Sequence, residues 1–198
     1  MESDRGREHK PLRFPTIREE IEENYKAEKV PAGNKRGYRV EYSYVGDYYA
    51  QNSDALKLRK AKIRIGILCA ASLVFYLCAV LQKSYVNSER LVFGGSLLSA
   101  VLFLFEASGV LQFLMIKDML TGRQLTDLSF KLRVYPPVHG GLLLICSVCA
   151  AAAALRGPGG AGAYLAAAGY GLSGIASILI FLLYRKMDYM RIPTSPFD

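Results

Sequence analysis

The sequence predicts an all-α membrane protein, a four-transmembrane-helix bundle with a partly ordered N-terminal cytoplasmic segment. Three observations predict it. Four apolar runs, 63–82, 91–116, 138–155 and 164–184, approach or exceed the ~20 residues that cross the ~30 Å of bilayer hydrocarbon. The charges are segregated: residues 1–64 hold 26 of the 42 charged residues, whereas a soluble domain spreads them along the chain. The basic residues also alternate between connections, which sets an orientation. Fifteen Lys and Arg precede or enter the first run, two lie between the first and second, four between the second and third, one between the third and fourth, and three follow. That bias places both termini and the middle connection on the cytoplasmic side of a cell membrane.

The first 36 residues form a charged tail. Its start is polar and without apolar period, the pattern of a disordered segment. Thr16-Ile17-Arg18-Glu19 reads as a capping box, opening a short helix near 17–29 with Ile17, Ile21 and Tyr25 on one stripe. Pro31-Ala32-Gly33-Asn34 would end it. Residues 37–54 are tyrosine-rich and extended. Tyr38, Val40, Tyr42 and Tyr44 alternate with Arg39, Glu41 and Ser43, the period of a strand. A lone strand is not stable in water, so it must find a pairing partner. The same tyrosines also suit an extended linker at the membrane interface.

Residues 55–82 continue as a juxtamembrane helix and first span, with Ser53 or Asp54 as the cap. No cleaved leader is expected, because the first apolar run begins only at Ile63. Lys57, Arg59, Lys60, Lys62 and Arg64 cluster at its start and are expected to meet anionic lipid headgroups. An outer loop spans 83–90 and the second span 91–116, with Thr121-Gly122 as its stop. Residues 117–137 form a cytoplasmic loop with a surface-lying stretch at 123–135, broken by Pro136-Pro137. The third span covers 138–155, a tight outer hairpin 156–163, the fourth span 164–184 and a cytoplasmic tail 185–198. The fourth span carries two small faces, Ala167-Gly171-Gly174 and Gly169-Ser173-Ser177, which permit close helix contact.

Glu106 is the one acid or base well inside an apolar run. Its helical face holds Gly95, Ser99, Leu102, Gly109, Val110 and Phe113, whereas Leu97, Val101, Leu104, Leu111 and Met115 line the opposite face. The carboxyl is therefore expected to point into the bundle. Counting rise per residue, Tyr76, Ser147 and Ser173 fall near its depth and are the expected hydrogen-bond partners. With the third span starting at 138, His139 stays at the inner mouth, more than about 10 Å away. With no base at its depth, Glu106 is expected to be held as the neutral acid. Two roles follow: helix glue, or a proton or cation site at Glu106, Tyr76, Ser147 and Ser173.

Other chemistry has little support. The two histidines and four cysteines show no zinc spacing, and no cysteine falls in an outer connection. The glycines form no phosphate loop. The N-terminal segment mixes 15 basic with 11 acidic residues, which disfavours nucleic acid. No enzyme activity, cofactor or metal is expected. The expected function is a non-catalytic accessory or assembly subunit with a protein partner or a second copy. The alternative is a small proton- or cation-coupled transporter or channel centred on Glu106.

Overall fold

The computed structural model describes residues 24–31, 33, 37–52, 55–116, 119–157 and 159–192. Four helices dominate: α1 (Ala55–Val80), α2 (Arg90–Met115), α3 (Gly122–Arg156) and α4 (Ala161–Arg185). Each is long and apolar enough to cross a bilayer. A 3₁₀ turn at Tyr85–Ser88 joins α1 to α2. The segments fall into two units, Tyr48–Ile192 with the helices and the N-terminal residues to Asp47.

In the helical unit, α4 packs on both α1 and α3, and α2 packs mainly on α3. The outward faces are apolar: Leu104 is 68% exposed, Met115 80%, Val148 69% and Leu155 76%. A bundle facing water would not show so much apolar side chain; one facing lipid would. The interior holds two apolar clusters. One gathers Val92, Leu143, Cys146, Ala150, Ala166 and Tyr170 towards the α1–α2 and α3–α4 connections. The other gathers Ile65, Val110, Phe113, Leu128, Leu132 and Ile180 towards the opposite end.

A small antiparallel sheet closes that opposite end. Its strands are β3 (Tyr48–Gln51), β4 (Leu120–Thr121) and β5 (Tyr189–Ile192), in the order β4-β3-β5. Tyr48 stands between Thr121 and Ile192, and Tyr49 between Leu120 and Arg191. The segments before α1, between α2 and α3, and after α4 are thus hydrogen-bonded together. Burial pushes the Tyr189 phenol far up, so it stays neutral. Neither this sheet nor its use of Tyr48–Gln51 and Tyr189–Ile192 was expected; two- and four-residue strands carry too little pattern to read.

The middle connection differs from expectation in a way that decides the site. Thr121 does not stop α2, which ends at Met115. It caps α3 instead: its hydroxyl accepts from Gln124 N, and the Gln124 side chain accepts from Thr121 N, a capping box. The helix then runs through 123–135 and through Pro136-Pro137 without a break. Proline removes a backbone donor and crowds the preceding turn. Here Leu128 and Leu132, fully buried beneath it, hold that turn in the bundle. The expected loop 117–137 is therefore mostly helix. Thr121→Ala is expected to destabilise the protein by about 1 kcal/mol; a thermal melt in detergent checks it.

The N-terminal unit holds a second two-stranded ladder, β1 (Tyr25–Pro31) against β2 (Tyr38–Tyr44). β2 is the expected strand, and its partner comes from the same chain. The short helix does not reach Lys29: from Tyr25 the chain is extended, and its earlier part lies outside the described residues, as do the caps Ser53 and Asp54. Tyr25 faces Tyr44 across the ladder with ring centroids 5.2 Å apart. Such aromatic cross-strand pairs favour strand over helix.

Candidate functional site

Between the two apolar clusters lies a polar layer, and every helix contributes to it. On α1, Ser72 falls between Ile65 and Ala79. On α2, Ser99 and Glu106 fall between Val92 and Val110. On α3, His139 falls between Leu132 and Leu143, and on α4 Ser173 and Ser177 fall between Tyr170 and Ile180. All six polar side chains are fully buried.

Five of the six, all but Ser99, form a continuous hydrogen-bonded set. His139 Nδ1 lies 2.7 Å from Glu106 Oε2 and 3.0 Å from Ser177 Oγ. Ser177 Oγ lies 3.1 Å from Ser72 Oγ, which is 2.9 Å from Ser173 Oγ. Ser173 donates to the Ser72 carbonyl at 2.8 Å. One chain of contacts thus links α2, α3, α4 and α1. Three buried polar atoms in the layer have no partner among the described residues: Ser99 Oγ, Glu106 Oε1 and His139 Nε2. Each such atom costs about 1–3 kcal/mol of lost solvation.

Glycines bring α3 and α4 close enough for the layer to form. A Cβ on Gly140 would stand 2.7 Å from the Gly174 carbonyl, and a Cβ on Gly174 would stand 2.8 Å from the Gly140 carbonyl. Only hydrogen fits at either place. Gly140 follows His139 directly, and Gly174 is one turn from Ser177, so this approach sets the His139–Ser177 contact. Phe103 packs against the imidazole, ring centroids 5.7 Å apart.

Glu106 points inward, as its helical face implied. The residues opposite it, Leu97, Val101, Leu104, Leu111 and Met115, are exposed. Its partner, however, is the histidine that the expected register kept away. The α3 helix begins at Gly122 and packs antiparallel on α2 almost from its start: Gly109 meets Lys131 and Leu132, Phe105 stacks on Tyr135, and Gly95 meets Cys146. That register carries His139 to Glu106. Counting depth from Val138 as the mouth of the span put Ser147 at this level, eight residues or about two turns beyond the observed partner.

The other expected partners divide. Ser173 belongs to the layer, through Ser72. The Tyr76 hydroxyl donates to the Ser96 carbonyl at 2.8 Å, and Ser147 donates to the Ala167 carbonyl at 2.8 Å, so both are bound elsewhere. His139, Ser177 and Ser72 were not proposed as partners. The small face Gly169-Ser173-Ser177 was the available signal for Ser177.

Of the basic cluster, Lys57, Arg59, Lys60 and Arg64 are exposed. Lys62 turns inward instead. It donates to the Ile116 carbonyl at 2.6 Å, satisfying the end of α2, and sits 5.9 Å from the Phe113 ring. No group of three His, Cys, Asp or Glu that could hold a metal occurs among the described residues. A cleft of about 560 Å³ opens at Gln112, Ile116 and Leu120 on the sheet side, and Glu106 does not line it.

Set against known proteins, the chain matches no family model, no curated protein and no solved structure. The site therefore has to be read from its own geometry. The fold and the layer define a bundle of four helices long and apolar enough to cross a membrane, with a buried acid–imidazole pair among the described residues.

Proposed function

We propose that the chain is a non-catalytic, multi-pass cell-membrane protein of the accessory or assembly kind, with both termini cytoplasmic. Its N-terminal hairpin holds a protein partner or a second copy. The observation that carries this reading is the two-faced character of the hairpin. Strand alternation puts Tyr25, Ala27, Lys29, Tyr38, Val40, Tyr42 and Tyr44 on one face. Lys26, Glu28, Arg39, Glu41 and Ser43 fall on the other, where Lys26 pairs with Glu28 and Arg39 with Glu41. The aromatic face stays open: Tyr38 is 40% exposed, Val40 44% and Tyr42 66%. A two-stranded hairpin is marginal by itself, and covering its apolar face would stabilise it. In the helical unit, the exposed Lys57, Arg59, Lys60 and Arg64 suit anionic headgroups.

Purification of the full chain in mild detergent tests this. A stoichiometric partner, or a second copy, is expected with the native protein. A Val40→Ser, Tyr42→Ser variant should retain about a tenth of it or less, the loss expected when central apolar anchors are removed. Recovery of the native chain only as a lone monomer would contradict the reading.

A second reading has its own observation. The orphaned Glu106 Oε1, His139 Nε2 and Ser99 Oγ are unusual in a structure held together for stability alone, since buried polar atoms normally find partners. They favour a proton- or cation-coupled transporter centred on Glu106.

A further inference from the structure

We infer that the ligand of the polar layer is a proton, exchanged one at a time by the Glu106–His139 pair when the bundle opens to admit water. The inference rests on the transport reading and names its cargo. With one proton between Oε2 and Nδ1, two arrangements are open: neutral acid with neutral imidazole, or carboxylate with imidazolium. Both have zero net charge, and both leave a hydrogen on Nε2. They differ only in the position of a proton along a 2.7 Å line. Removing a proton leaves a net charge of −1, and adding one leaves +1. Neither charge is compensated at a site where both side chains are 0% exposed. The number of protons can therefore change only if water arrives.

The orphaned atoms show where that water binds. Glu106 Oε1 is a free acceptor, and Nε2–H is a free donor. In the closed bundle both go unmet; in a hydrated bundle both are met, and a water molecule can then take the proton or deliver it. Other titratable neighbours are few among the described residues. On α1 the Cys69 thiol lies within electrostatic range of Glu106. On α3, Lys131 lies two turns towards the sheet and is engaged with Gln112 and Asp127. On α4, Tyr184 lies towards the same end, its hydroxyl 3.1 Å from Ser129 Oγ. Among the described residues no counter-charge competes with the imidazole, and the donor set of one carboxyl, one imidazole and hydroxyls falls short of a metal cage.

Infrared difference spectroscopy of the full-length protein in phosphatidylcholine vesicles, between about pH 5 and pH 9, reads the exchange. A protonated-carboxyl band that responds to pH is expected, and it should vanish in Glu106→Gln. Nitrogen-15 histidine spectra give a second reading without that variant. The chain has only two histidines, His9 and His139, and His9→Ala assigns the signals. The His139 signals should change over the same pH range. A carboxyl band and His139 signals that stay constant throughout would overturn the inference. Proton uptake by the same vesicles under an imposed potential separates it from the reading it rests on. Exchange with flux supports both. Exchange without flux keeps the proton site and rejects transport. Equal flux in Glu106→Gln and native protein rejects the site.

Discussion

Replacing His139 with leucine should destabilise the bundle by about 3 kcal/mol or more. Among the described residues the imidazole is the hydrogen-bond partner of the Glu106 carboxyl, and it also joins Ser177. Without it, a buried acid faces an aliphatic side chain while its second oxygen is already orphaned. The serine links between α1 and α4 would survive, because they do not pass through the ring. The tie of α2 to the rest of the layer would not. Glu106→Gln is the informative contrast. The amide keeps the shape and can still bond to Nδ1, so a loss of about 1 kcal/mol is expected. Thermal midpoints in one detergent check both. Equal effects for the two variants would mean that the pair contributes packing alone.

Gly174→Val should have an effect of similar size for a different reason. Its added Cβ would meet the Gly140 carbonyl at 2.8 Å, Leu144 Cγ at 3.1 Å and Leu143 Cβ at 3.3 Å. The first of these is backbone and cannot turn aside. The two helices must separate, and the His139–Ser177 contact separates with them. Overpacking of this kind costs about 1–3 kcal/mol before the lost hydrogen bond is counted. Gly141→Ala is the control, one residue away on α3. Nothing lies within 4 Å of its added methyl group. Alanine favours helix over glycine by up to about 1 kcal/mol, so that variant should be neutral or slightly more stable. Melting curves of the two variants distinguish a specific close approach from a general intolerance of α3 and α4 to change.

What could be read from the sequence follows the strength of each pattern. The four long helices were legible because about 20 apolar residues in a row have few alternatives. The inward direction of Glu106 was legible because helical geometry puts Ser99, Gly109 and Phe113 on its side and Leu104 and Met115 on the other. The alternating tyrosines of β2 announced a strand. The identity of its partner was hidden, because Tyr25 and Ile21 also fit a helical stripe. The register of α3 was hidden by its two prolines, which argue locally for a break. Only tertiary burial of Leu128 and Leu132 carries the helix past them, and no local rule contains that term. The misplaced partner of Glu106 follows from that single error, since His139 moves with the start of the helix.

The account depends on the four apolar helices lying in lipid, with the polar layer shielded between them. Native membranes washed in alkaline carbonate and sedimented by ultracentrifugation test this most directly. The chain is expected to remain wholly in the pellet, as a protein threaded through the bilayer does. Release into the supernatant would contradict the membrane placement and, with it, the sidedness, the partner surface and the proton site.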